Sequence, residues 1–228
     1  IMAGGLGTRL RPITDDRPKP LVEVEGVPIL ETLLERLAAQ GFHQVYLSVN
    51  YEAEMIQEHF EDGSSWGLQI EYLREKKRLG TAGPLSLLPK RPTEPVLVLN
   101  GDLLTTLDFG RLMDFHGEQA ATATMGVRRY QTEIPYGVVE IENRRIKGLE
   151  EKPSEEYFVN AGIYVLEPEA LGKIPGDTFF EMPELFQLLV EEEGQDVAAY
   201  PIQKYWRDIA HQEDLQRAEA EFRQVFNQ

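Results

Sequence analysis

Three short apolar runs with helical repeats between them leave few folds open to this chain. Val45 to Val49 and Leu68 to Leu73 are compact and bounded by turn residues, and Val96-Leu97-Val98-Leu99-Asn100 is apolar on both faces, as suits a central strand. Between and before them, Ile29, Leu30, Leu33, Leu34 and Leu37 recur at helical spacing, Gly41 stops that helix, and Asn50 is expected to cap a second helix reaching Phe60. Leu21 to Val24 reads as a short strand that Glu25-Gly26 turns into Pro28, in the first turn of the first helix. Strand, helix, strand, helix, strand predicts a doubly wound, Rossmann-like α/β sheet flanked by helices. Gly80 to Gly83 is expected to open a helix ending before Pro89, and Asp108 to cap another running to about Glu118, before a strand over Ala121 to Val127.

Past Tyr130 the pattern changes. Gly137 to Glu142, Arg145 to Glu150 and Tyr157 to Val165 predict three strands of a small antiparallel addition, which keeps residues 1 to 228 a single domain. A helix over Glu184 to Glu193, with Glu191-Glu192-Glu193 as its solvated end, a strand over Val197 to Pro201 and an amphipathic helix over Glu213 to Phe226 complete the chain. Only Ile1, Met2 and Ala3 precede the first glycines, so the first strand is expected to begin upstream of Ile1.

Composition removes several classes of function. Asp and Glu outnumber Lys and Arg by 39 to 23, an acidic balance that repels nucleic acid and anionic membranes, so neither is an expected partner. The chain has no cysteine, which excludes disulfides and cysteine-ligated metal and suits a reducing cytoplasm. His43, His59, His116 and His211 show no metal-ligand spacing, and no apolar run has the length of a membrane span.

One stretch departs from the acidic background. Ile1-Met2-Ala3-Gly4-Gly5-Leu6-Gly7-Thr8-Arg9 breaks into three glycines within four positions. Glycine lacks Cβ and takes positive φ, so the amides of such a loop can turn inward as a nest of donors around phosphate oxygens. Arg9 adds a fixed fork of donors, and Lys19, between Pro18 and Pro20, is presented from stiff backbone. Residues 1 to 20 hold four cations (Arg9, Arg11, Arg17, Lys19) against two anions in a chain of formal net charge −16, which favours a polyphosphate cradle over a solvated turn. Ligands of open α/β sheets bind beyond the carboxyl ends of the strands, so this loop, Gly80 and Asp102 are expected to face one crevice.

With Gly4-Gly5-Leu6-Gly7-Thr8-Arg9, Lys19-Pro20, Leu79-Gly80-Thr81-Ala82, Gly101-Asp102, Glu151-Lys152-Pro153, Asn160-Ala161-Gly162 and Trp206-Arg207-Asp208-Ile209 in this order, the chain resembles the sugar-1-phosphate nucleotidylyltransferases over essentially its whole length. The resemblance implies that a nucleoside triphosphate and a sugar 1-phosphate react to a nucleotide sugar and pyrophosphate with Mg²⁺ as cofactor. It assigns Ala3, Gly4, Gly5, Gly7, Thr8, Gly80 and Thr81 to the nucleotide, Arg9 and Lys19 to its phosphates, and Asp102 and Asp208 to Mg²⁺. Lys152 falls to the sugar phosphate, and Tyr136-Gly137, Glu151 and Asn160 to the sugar hydroxyls, with Glu150 the alternative to Glu151. Taken singly, Asp102 could terminate a strand and Asp208 cap the last helix. Ala210 stands where the family usually has glycine. Relatives of this kind sometimes carry a paired regulatory module, so one upstream of Ile1, and a homo-oligomer, are both compatible with the resemblance.

Elementary chemistry agrees with the resemblance. A phosphate monoester has its second pKa near about 6, so the sugar phosphate is already an ionised nucleophile; what it lacks is a way to approach another polyanion. Cations and an in-line geometry supply that.

Glu75 is the residue expected to read the base, the alternative being that it points to solvent beside Lys76 and Lys77. Relatives that use uridine or thymidine triphosphates commonly carry glutamine at that position, where one donor and one acceptor suit uracil or thymine. A carboxylate offers only acceptors and suits the adjacent N1–H and N2 amino donors of guanine, so GTP is the expected donor and UTP or dTTP the alternative. Two rival classes are a catalytically silent nucleotide-sugar-binding regulator and a glycosyltransferase. Arg9, Lys19, Asp102 and Asp208 speak against the first and the absence of an Asp-x-Asp motif against the second.

Overall fold

The computed structural model describes residues 1–192, 194 and 196–226. After the glycine loop, Thr8–Leu10 and Lys19–Leu21 are 3-10 turns, and β1 (Glu23–Val24) hairpins with β2 (Val27–Pro28). The expected strand from Leu21 is thus shortened, because Pro20 at the start of the second turn presets a helical φ there. α1 (Ile29–Ala39) buries Ile29, Leu30, Leu33, Leu34 and Leu37, the residues of its helical repeat. β3 (Gln44–Val49), α2 (Ala53–Phe60) and β4 (Gln69–Arg74) follow, with β3 and β4 parallel and Val45 opposite Ile70. Asn50 does not cap α2. Its side-chain amide instead donates to the carbonyl of Glu75 at 3.1 Å, tying the ends of β3 and β4, and Glu52 takes the cap position without a side-chain bond.

Gly83–Leu87 is a 3-10 turn rather than the expected helix, confined between Ala82 and Gly83, both hydrogen-bonded to the Phe180 carbonyl, and the stop at Pro89. The central ladder comes next. Ile1 to Ala3 lies between β3 and β5 (Val96–Leu99): Met2 donates to Leu99 at 2.8 Å and Ala3 to Ser48 at 2.9 Å. β6 (Leu103–Thr105) leads into α3 (Phe109–Gln119), where Asp108 is the cap, its Oδ1 accepting from the Arg111 amide at 2.9 Å.

β7 (Ala123–Glu133), β8 (Gly137–Glu142), β9 (Arg145–Glu151) and β10 (Ser154–Leu166) form one long ribbon; β7 pairs with β10 and β8 with β9, both antiparallel. α4 (Pro168–Leu171), α5 (Met182–Glu191), β11 (Val197–Pro201), β12 (Trp206–Asp208) and α6 (Gln212–Phe226) complete the order. Glu193, expected in the acidic helix end, lies outside the described residues. β5 pairs antiparallel with β10, and β11 parallel with β7, so the sheet runs β4, β3, the Met2 segment, β5, β10, β7, β11, a mixed sheet with helices on both sides. One apolar cluster joins the sheet to α1, α2 and α3, and a second joins it to α5. Among the described residues no helix is long and apolar enough to cross a membrane.

Candidate active site

The strands deliver their chemistry at one end. Gly101 follows β5 and hydrogen-bonds to Met2, and Asp102 comes just before β6. β12 pairs antiparallel with β6 in the register Asp208 to Leu103, which sets Asp208 beside Asp102 although 106 positions separate them. Asp208 is therefore a strand residue and not a cap of the last helix; His211 precedes that helix, and the carboxylate of Asp214 in its first turn accepts from the His211 amide at 2.8 Å.

Lys19 is buried, and its ammonium makes an ion pair with Asp102 Oδ2 and lies 3.9 Å from Asp208 Oδ1. Three charged groups with one net negative charge thus share a partly desolvated space. Burial pushes the Asp208 carboxyl up to about 6; repulsion from Asp102 adds to this, and attraction from Lys19 and Arg9 opposes it. Arg9 itself is exposed, on the 3-10 turn after Gly7, yet its charge is felt at Asp208. Gly7, at φ 61°, starts that turn, and a Cβ there would lie 3.1 Å from Lys19 Cβ, so the glycine loop packs directly on the lysine.

Asp102 Oδ1 and Asp208 Oδ1 are both buried and without a hydrogen-bond partner. Buried carboxylate oxygens left in that state are costly, and a hard divalent cation is the species that satisfies two at once. No group of three or more His, Cys, Asp or Glu that could hold a metal occurs among the described residues, so this pair is the candidate cation site. A pair suits magnesium, which takes one or two carboxylates and completes its shell with waters and phosphate oxygens.

The remaining expected residues occupy three places. Glu75 is buried at the end of β4: its Oε1 accepts from the Ser48 hydroxyl at 2.7 Å and its Oε2 from the Leu79 amide at 2.8 Å. A Cβ on Gly4 would lie 2.6 Å from that Oε1, so the carboxylate sits against the glycine loop. Gly80 and Thr81 are held on the start of α5, where Thr81 Oγ1 accepts from the Met182 amide at 2.8 Å. Ala3 is in the sheet, Gly4 half-buried, and Gly5 and Thr8 are exposed.

Gly137 and Glu151 face each other across the β8–β9 pair; Lys152, at φ 48°, follows with its amide 3.3 Å from the Tyr136 carbonyl. These three residues and Glu150 are exposed, and no described hydrogen bond or ion pair joins them to Lys19, Asp102 or Asp208. Asn160 sits where the β7–β10 register breaks, its Oδ1 accepting from the Gly162 amide at 2.9 Å. Nothing in the sequence marks Ser48, and Trp206 stands there within the Trp206-Arg207-Asp208-Ile209 motif without a role; Trp206 donates its indole N–H to the Ala161 carbonyl at 2.8 Å and so ties the Asn160 to Gly162 loop to β12. A tryptophan beside the second carboxylate was the available signal.

Comparison with known proteins decides the family. The model of the nucleotidyl transferase family matches residues 1–225. The chain belongs to that family. Within it, the chain is 36% identical over 228 residues to a mannose-1-phosphate guanylyltransferase of Mycobacterium tuberculosis, covering 97% of this chain and 63% of the relative. It is also 36% identical over 222 residues to the mannose-1-phosphate guanylyltransferase catalytic subunit beta of Drosophila melanogaster, covering 94% and 60%. The chain thus spans about three-fifths of the length of these relatives. Among solved structures, HddC from Yersinia pseudotuberculosis superposes with TM-score 0.75 at 25% identity over 97% of both chains, and its complex with GMP-PN with TM-score 0.73.

Proposed function

We propose that this chain transfers a guanylyl group from GTP to a sugar 1-phosphate, releasing pyrophosphate. The observation that carries the reading is the Lys19–Asp102–Asp208 cluster beside the glycine loop, with two buried carboxylate oxygens that accept no hydrogen bond. The likeness to two named guanylyltransferases supports GTP, and mannose 1-phosphate is the acceptor their names suggest.

The sugar phosphate oxygen attacks the α-phosphorus of GTP while the bond to the β-phosphate oxygen breaks in line with it. No proton needs to be removed, because the nucleophile is already ionised near neutral pH. The amides of the glycine loop and Arg9 hold the triphosphate, and Lys19, fixed by Asp102, meets the charge that builds on the leaving pyrophosphate. Asp102 and Asp208 would hold Mg²⁺, which when bound would screen the phosphates and offset the charge that develops on them. From the ribbon side, Lys152 is assigned to the phosphate of the sugar 1-phosphate and Gly137, Glu151 and Asn160 to its hydroxyls.

Glu75 supports guanine within this reading. Each of its oxygens already accepts one hydrogen bond and keeps a lone pair for the N1–H and N2 amino donors. Glu75→Gln is compatible with the same pocket, since its amide oxygen can accept from Leu79 and its NH₂ can donate to Ser48 Oγ, a hydroxyl that also accepts. The variant should stay folded and shift kcat/KM from GTP toward UTP or dTTP. Unchanged preference in this variant, with wild type favouring UTP, overturns the assignment of the base to Glu75.

A further inference from the structure

Asn100 carries the third unpaired oxygen of the site. Four buried side-chain polar atoms lack a hydrogen-bond partner among the described residues: Arg36 Nε, and oxygens of Asn100, Asp102 and Asp208. Native interiors leave few such groups, and each calls for a reason. Three of the four fall on the Asn100–Asp102 segment and its neighbour Asp208. Asn100 is bridged to Met2 at the end of the ladder, and Gly101, which donates to the Met2 carbonyl, begins with Asp102 the turn that leads into β6. Two residues of chain span at most about 7 Å, so the Asn100 and Asp102 backbones are neighbours on either side of Gly101.

The backbone opposite is shaped to admit that side chain. Gly162 donates nothing to Asn100 but accepts from its amide N–H at 2.8 Å, and its φ is 69°. A Cβ on Gly162 would lie 2.5 Å from Asn100 Nδ2, so only glycine leaves the space that the carboxamide fills. A carboxamide lodged against a left-handed glycine, with its oxygen buried and unpaired, is costly unless something binds to it.

We propose that Asn100 Oδ1 is a third oxygen of the divalent-cation site formed with Asp102 and Asp208, engaging the ion directly or through one of its waters. An amide oxygen is a hard, neutral ligand of the kind that Mg²⁺ and Mn²⁺ accept, and it adds to the site without adding negative charge. Partners of this sort change metal affinity by about 10- to 100-fold when removed. The inference rests on the cation reading of Asp102 and Asp208 given above.

The test is Mn²⁺ binding to the substrate-free protein, read by electron paramagnetic resonance as loss of the free-ion signal, beside melting curves in chelator. Asn100→Leu, similar in size and apolar, should weaken Mn²⁺ binding about tenfold, while its melting temperature in chelator stays at or above that of wild type because a buried unpaired oxygen has gone. Asn100→Asp should bind Mn²⁺ at least as tightly as wild type. Wild-type Mn²⁺ affinity in Asn100→Leu overturns the role of Asn100, as does a large fall in its melting temperature in chelator with affinity unchanged in Asn100→Ser. Asp102→Asn and Asp208→Asn separate the two levels: if wild type binds Mn²⁺ no better than these variants do, the cation reading of the carboxylates fails by itself.

Discussion

Lys19→Met removes an ammonium and keeps most of the side chain's bulk, so it isolates the charge at the centre of the site. In wild type the ammonium pairs with Asp102 and lies 3.9 Å from Asp208 Oδ1. Two opposite charges at 4 Å interact by about 4 kcal/mol at an effective dielectric near 20. The Asp102 and Asp208 side chains keep 26% and 40% of their exposure, so solvent screening reduces the net loss to about 2 kcal/mol. For a chain of this size that is about 4–8 °C in melting temperature. The measurement is thermal unfolding at pH 8 in chelator and again at saturating Mg²⁺. The variant should melt lower in chelator and recover more than wild type when Mg²⁺ is added, because the ion takes over the neutralisation of both carboxylates. Its kcat/KM should fall by at least about 100-fold, since leaving-group charge goes unmet. A variant that melts with wild type in chelator would refute the idea that this lysine is the internal counter-ion.

Asp208→Asn should alter the pH profile of stability in a defined direction. The folded carboxyl titrates at about 6, above its ordinary value of 3.8, so the folded state holds that proton more firmly; wild type in chelator should lose stability as pH rises from about 4 to 6, and the variant should lose less. Equal slopes in urea titrations across that window would count against the buried carboxyl. Gly162→Ala forces a side chain to φ 69° and against Asn100 Nδ2, and should cost about 2 kcal/mol by chemical denaturation; an unperturbed midpoint would show that the glycine is not required. Arg9→Ala, exposed and outside the core, should melt within about 2 °C of wild type while raising the KM for GTP, and a large loss of stability would assign it a structural role instead.

Much of the architecture was legible because its signals are local. The helical repeat of α1, the cap at Asp108, the Val197–Pro201 strand and the β8–β9 hairpin all appear where period and turn residues place them. What escaped was set at long range. β6 and β12 have three residues each, too few to show a period, and only their pairing makes them strands. That pairing is also what brings Asp208 to Asp102, so the site's residues could be named from motifs while their contacts could not be derived. Asn50 illustrates competition between local and distant partners: a good cap by type, it is drawn to the Glu75 carbonyl across the sheet. Asn100 read as the last residue of an apolar strand, and nothing in the sequence marked its oxygen as unpaired.

The most direct test of the account is an end-point assay with purified protein, GTP, mannose 1-phosphate and Mg²⁺, following pyrophosphate by a coupled assay and the nucleotide sugar by chromatography. The account expects pyrophosphate and GDP-sugar in equal amounts, none of either in chelator, and at least a 100-fold slower reaction in Asp102→Ala. If no sugar 1-phosphate of a broad panel releases pyrophosphate with GTP, UTP or dTTP, or if Asp102→Ala keeps the wild-type rate, the proposed transfer and its cation site are contradicted.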